Sequence, residues 1–259
     1  RAGFPYKTTK MMQPFVDTKD VEALRQMSQQ CINNAWYKVR FSPDSLRGIH
    51  GACPSEMLHA MLLGIFKYTR DCFFEQIGKT SQLADEIDAL AQRFGTAFGR
   101  QSERDMPKCK FKQGIRRGKL MAKEFRGILL VMAAIIRSSR GRELLGRNKN
   151  FSQEEQLKDW TLLMEILLEF EAYLNENEMD IGDVMRMQKK NRYLMYVIKK
   201  VARRHEGMGW KLMKFHAIVH LAWDIILYGV PREVDTGSNE TQHKETKIAA
   251  RLTKKNEST

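Results

Sequence analysis

Apolar residues recur at three- and four-residue intervals through most of this 259-residue chain, the period of amphipathic helices. Residues 1–17 carry no sustained period. Over 20–36, Val21, Leu24, Met27, Cys31 and Ile32 fall on one helical face and predict a first helix. Lys38-Val-Arg-Phe41 suits a short extended piece, and 42–51 is turn-rich, broken by Pro43, Asp44, Gly48 and Gly51. Pro54 and Ser55 then open a helix, because Pro fits a first turn and Ser55 can cap neighbouring amides. The apolar run over 57–74 predicts that this helix is strongly buried, and Gly78 ends it.

Another helix is predicted over 81–98, followed by a basic connection over 99–118 that contains Pro107 and Gly114. Three long helices follow, over 119–139, 153–175 and 181–204. Gly141 and Gly146 punctuate the first gap, and 175–180 forms the second. A helix over 210–228 stops at Gly229-Val-Pro231, and a last one over 240–252 starts after Ser238 or Asn239, either a competent N-cap. The expected fold is therefore mainly α, a long-helix bundle with few or no strands. Its expected division is an N-terminal block over 1–51, a helical domain over 52–209 and a C-terminal helical block with a basic tail over 210–259.

With 42% hydrophobic residues the chain can bury a sizeable core. Charged residues make up 29% and are interspersed with apolar ones at helical spacing, the pattern of globular helices rather than of a polyelectrolyte tail. Lys and Arg number 44 against 31 Asp and Glu, a formal charge of +13 that makes nucleic acid or another polyanion a natural partner. Four separated cysteines, Cys31, Cys53, Cys72 and Cys109, form no CxxC pair and point to a reducing compartment. The longest apolar run, 127–136, falls short of the roughly 20 residues that span a bilayer and stops at Arg137, so no membrane partner is expected. Arg1-Ala-Gly-Phe-Pro lacks both an initiator Met and a signal-peptide core, which suggests a fragment.

Three places carry candidate chemistry. Glu56 and His59 stand one turn apart near a helix N-terminus, where a carboxylate can hold a divalent metal and an imidazole can bind phosphate, metal or water. The same pair also fits a carboxylate interacting with the helix N-terminus and a His packing at the edge of the apolar face. His216 and His220 share a face at i, i+4, a spacing that zinc sites use and that hydrogen-bonded core histidines share. On the last predicted helix Glu240 leads a stripe of Lys244, Lys247 and Arg251, which reads as a solvated face or as an acid followed by phosphate contacts. A central basic tract supplies Lys110, Lys112, Arg116, Arg117 and Lys119 as candidate DNA contacts, with Phe111 and Ile115 interleaved.

Gly51-Ala-Cys-Pro-Ser-Glu-Met-Leu-His-Ala-Met-Leu-Leu-Gly-Ile-Phe-Lys67 resembles the block around the second catalytic acid of CACTA-type and Plavaka-like transposases. That block usually reads as an acid, two residues, His, then an apolar run with Leu-Gly. Lys214-Phe-His-Ala-Ile-Val-His-Leu221, Tyr228-Gly-Val-Pro231 and Thr236-Gly-Ser-Asn-Glu-Thr-Gln-His-Lys244 resemble the block that carries the last acid of the same family. The resemblance implies the C-terminal portion of an RNase H-like core, with a long helical insertion over roughly 65–205 before the last acid. It further implies Glu56 and Glu240 as catalytic acids and ligands of Mg²⁺ or Mn²⁺, His59 as an accessory catalytic group, transposon-end DNA as partner, a possible homo-oligomer and a nuclear location. The complete protein would hydrolyse phosphodiester bonds and transfer strands by a two-metal mechanism. Glu56 stands where the family usually has Asp, and no apolar run ending in Asp-Gly precedes residue 48, so the first acid is not found in this chain. The alternative expectation is a helical nucleic-acid-binding or scaffold protein without chemistry.

Overall fold

The computed structural model describes residues 9–26, 31–32, 57–98, 111, 114–116, 120, 122–151 and 153–234. Among them every regular element is helical and no strand occurs, as the apolar period predicts. The chain divides into two compact units, Arg1–Pro54 and Ser55–Thr259.

In the first unit, α1 (Thr9–Asp17) precedes α2 (Val21–Gln26). Met12, Val16 and Leu24 are buried together. Helix α1 lies where no period was legible, and Pro14 sits inside it. Asp20 starts α2 by accepting from the Ala23 amide at 3.0 Å, as an N-cap carboxylate does.

The second unit begins with a π-helical segment, Met57–Phe66, that runs directly into α3 (Lys67–Ile77). The predicted buried helix is thus present and ends at Gly78 as expected, but its first half is wound more widely than an α-helix. Met61, Leu62, Ile65 and Phe66 are buried in it. A Cβ on Gly64 would stand 2.6 Å from the His59 carbonyl and 3.2 Å from the Lys214 stem, so only glycine lets that stem close against the segment.

Helix α4 (Gln82–Phe98) starts on Ser81, whose Oγ accepts from the Ala84 amide at 3.2 Å. Helix α5 (Ala122–Arg137) buries Phe125, Ile128, Leu129, Val131, Met132, Ile135 and Ile136, nearly its whole circumference. A helix apolar all round takes the centre of its domain, and α5 packs against α4, α6, α7 and the π-helical segment. The gap expected after it holds a further helix, α6 (Ser139–Gly146), capped by Ser138 Oγ accepting from Gly141 N at 3.0 Å. Gly141 reads as a breaker in sequence. It serves instead as a close-contact point, because a Cβ there would stand 1.9 Å from the Ile135 carbonyl.

Helix α7 (Glu154–Leu174) lies between α5 and α8 (Ile181–Val201). A capping box starts α8: Asp183 N donates to Asp180 Oδ1 at 2.7 Å and Asp180 N to Asp183 Oδ2 at 3.3 Å. The helix expected over 210–228 is two, α9 (Met213–Ala217) and α10 (Leu221–Tyr228). Between them Val219, His220 and Leu221 each donate three residues back, at 3.0, 2.9 and 3.3 Å, a tightening at the β-branched pair Ile218-Val219. Trp210, Phe215, Ile218, Leu221 and Ile225 join the same core as α3–α8. The residues expected as a separate C-terminal block therefore belong, as far as 234, to the second unit. No helix among the described residues is long and apolar enough to cross a membrane.

The core also sets thiol chemistry. Cys72 is 2% exposed, and burial, then the nearby Glu75 carboxylate, push its thiol up to about 12. Since the thiolate is the reactive form, iodoacetamide at pH 8 should label the exposed Cys31 and leave Cys72 unmodified until the unit unfolds. Peptide mapping by mass spectrometry reads this directly, and labelling of native Cys72 as fast as Cys31 would contradict the packing.

Candidate nucleic-acid interface

Helix α8 owes its position to one face. Val184, Met187, Asn191, Leu194, Val197, Ile198 and Val201 are buried and pack toward α7 and α10. The opposite face carries Met185, Lys189, Arg192, Tyr193, Tyr196 and Lys200, spaced three and four apart and all exposed. From Val184 to His205 the chain has no acidic residue, while Lys or Arg occupies 186, 189, 190, 192, 199, 200, 203 and 204. A helix that buries only its apolar side thus presents an unbroken cationic strip with two tyrosines set into it.

The cations differ in what holds them. Lys190 pairs with Glu169 of α7, Arg186 with Asp183, and Lys200 donates to Asp159 at 3.0 Å, a bond that pushes the Lys200 ammonium above its usual range. Lys199 lies 5.4 Å from the Phe215 ring centre, and Arg204 closes the following loop by donating to the Gly209 carbonyl at 2.8 Å. Lys189, Arg192 and Arg203 enter no ion pair among the described residues, so their charge remains available to a polyanion. Tyr193 and Tyr196 are 51% and 62% exposed. Large aromatic side chains that the core leaves out, on a strip of one charge, have the composition of a nucleic-acid contact. At the C-terminal end of the strip, Lys200 and Arg203 line a cleft of about 520 Å³ with Trp160, Gln156 and Asn150. Glu75, Glu155 and Asp159 also line it and balance its cations, so the cleft has no anion preference.

The residues singled out in sequence fare differently. Glu56, Glu240, Lys110, Lys112, Arg117, Lys119, Lys244, Lys247 and Arg251 lie outside the described residues. His59 is half-buried in the π-helical segment. Arg116 does not face outward: its side chain is 7% exposed and pairs with Asp85 and, at 3.2 Å, with Asp88. The Asp88 carboxylate also accepts the amides of Ile115 at 2.8 Å and Arg116 at 3.2 Å. Burial pushes the Asp88 carboxyl up, against those amides and the guanidinium. Arg116 is thus a clamp that ties the basic tract to α4.

His216 Nε2 and His220 Nε2 stand 2.9 Å apart with the rings crossed at 71°, so one ring donates and the other accepts. No three His, Cys, Asp or Glu side chains among the described residues form a group fit to hold a metal ion. The carboxylates on which an Mg²⁺ or Mn²⁺ site would depend, Glu56 and Glu240, are outside them, so no catalytic step through a metal is derived.

Sequence reading missed the α8 strip because attention went to the densest basic run. The signal that finds it is the 22-residue absence of acid over 184–205 combined with tyrosines out of phase with the buried period. No family model matches the chain, and neither a curated protein nor a solved structure is found to be similar to it.

Proposed function

We propose that this chain binds DNA through phosphate contacts on the cationic face of α8, as part of a transposase-like protein. The observation that carries the reading is the acid-free strip in which Lys189, Arg192 and Arg203 have no acidic partner among the described residues. Neutralising phosphates with such cations releases condensed counterions, which gives affinity without reading sequence. The net charge of +13 draws DNA toward the molecule from a distance. The transposase setting rests on the two sequence blocks alone. In it, Glu56 and Glu240 would hold Mg²⁺ or Mn²⁺, which would supply activation of the attacking oxygen and stabilisation of the leaving one, His59 would be an accessory group, and the helical unit would hold the DNA.

Fluorescence anisotropy with a labelled DNA tests the binding. Affinity should fall steeply between 50 and 200 mM salt, with a log–log slope of roughly −2 to −3 for three phosphate contacts and steeper for more. A chain that binds no DNA at 50 mM salt sinks the proposal. A strand-transfer assay with Mg²⁺, run on this chain and on an N-terminally extended form, tests the chemistry. Equal activity in a Glu240→Gln variant would remove the catalytic assignment and leave the binding role standing.

A further inference from the structure

We infer that the α8 strip takes unpaired bases of a single strand or an opened DNA end, with Tyr193 and Tyr196 as stacking platforms. This deepens the DNA-binding reading above and rests on it.

Two features of the fold point to one strand rather than a duplex. The first is the tyrosines. They stand three residues apart, about 4.5 Å along the helix axis, and both rings are mostly exposed. Base faces are hidden inside a duplex, whose grooves display only edges, whereas an unpaired strand offers its faces to aromatic rings. Lys189 and Arg192 precede Tyr193 within about one turn, so a backbone following the helix meets cations beside the stacked bases.

The second feature is the neighbour. Helix α7 packs beside α8, and packed helix axes lie roughly 8–10 Å apart. The α7 surface carries Glu154, Glu155, Asp159, Glu165 and Glu169. Of these, Asp159 and Glu169 hold Lys200 and Lys190 at the shared edge. A duplex laid over α8 would bring its second backbone above α7, whose one cation, Lys158, is already paired with Glu154, so that backbone meets no unpaired cation there. The buried face of α8 is committed to the core. A single strand occupies the strip alone. The same commitment argues against a bilayer, because α8 has no apolar face left to insert.

The test compares a labelled mixed-sequence 12-mer, its blunt duplex, and vesicles of phosphatidylserine and phosphatidylcholine. Each is titrated with the unaltered chain, with Tyr193→Ala/Tyr196→Ala and with Tyr193→Phe/Tyr196→Phe. The single strand should bind more tightly than the duplex, and the alanine pair should weaken it at least roughly tenfold, given what stacking on one ring contributes per base. The phenylalanine pair should bind the single strand normally. Duplex affinity and the salt slope should hardly change in either variant, because the phosphate contacts are intact. Binding to single strand and duplex alike, unmoved by the alanine pair, overturns the stacking role and leaves the phosphate reading in place. A loss confined to the vesicles assigns the tyrosines to a membrane and overturns it also. Failure to bind either DNA overturns both readings.

Discussion

Replacing Trp160 by alanine should destabilise the helical unit by about 3–5 kcal/mol, the usual loss for a fully buried tryptophan. Trp160 is 2% exposed, and its ring lies edge-on to Phe73 with centres 5.2 Å apart and 6.3 Å from Phe151. Its Nε1 donates to Gln76 Oε1 at 3.0 Å, while Gln76 Nε2 donates to the Val201 carbonyl at 3.1 Å. One side chain thereby joins α7, the end of α3 and the end of α8. Alanine opens a cavity among the aromatic rings and leaves the Gln76 carbonyl without its donor, an added penalty of roughly 1 kcal/mol or more. Against a domain stability of about 5–15 kcal/mol, the melting temperature should fall by roughly 6–20 °C. Urea denaturation followed by circular dichroism measures this. Trp160→Phe keeps the ring contacts and should lose well under half as much. A Trp160→Ala variant within about 1 kcal/mol of the unaltered chain would show that this junction does not hold the unit together.

Reversing charge at the three unpaired cations of the strip, with Lys189→Glu, Arg192→Glu and Arg203→Glu together, should lower DNA affinity at 50 mM salt by at least roughly a hundredfold. The salt slope should flatten by about 0.7–0.9 per lost phosphate contact, depending on whether the DNA is single- or double-stranded. These side chains are exposed and touch no acidic partner, so stability should stay within about 0.5 kcal/mol. The control reverses the same number of charges elsewhere, with Lys79→Glu, Arg140→Glu and Lys158→Glu, cations already paired to Glu75, Glu143 and Glu154. Net charge changes equally in both variants. If α8 is the contact surface, the control should bind within a few-fold of the unaltered chain. Equal loss in both would mean that long-range charge alone, and no particular strip, attracts the DNA.

The helices that were legible in sequence are those whose signals are local. Ser81 and Asp180 precede apolar periods and both cap the helices that follow, because a cap depends on one side chain and amides three residues on. The helix over 119–139 was legible from its apolar period, but its central place was not, and the structure supplies it. Helix α1 escaped because it is short and Pro14 interrupts its apolar set, Met11, Met12, Phe15 and Val16. The break at Ile218–His220 escaped because the apolar spacing continues unbroken across it. The π winding of Met57–Phe66 escaped as well, since an apolar run has no register from which a longer turn can be read.

The functional residues divide along the same line. Lys and Arg content and the acid-free stretch over 184–205 are properties of the chain itself, and any fold inherits the charge. Which cations remain available is not. Arg116 looked like a phosphate contact in a basic tract, yet Asp85 and Asp88 of α4, some 30 residues earlier, take its guanidinium. Lys190 and Lys200 are likewise held by α7 carboxylates, whereas Lys189, Arg192 and Arg203 form no ion pair among the described residues. Sequence alone determined that this protein is helical and basic, because helical period, capping and net charge are local or additive quantities. Tertiary structure decided which charges are paired, which tyrosines lie on the surface and where a helix breaks, because each depends on a neighbour that is distant in the chain and adjacent only after folding.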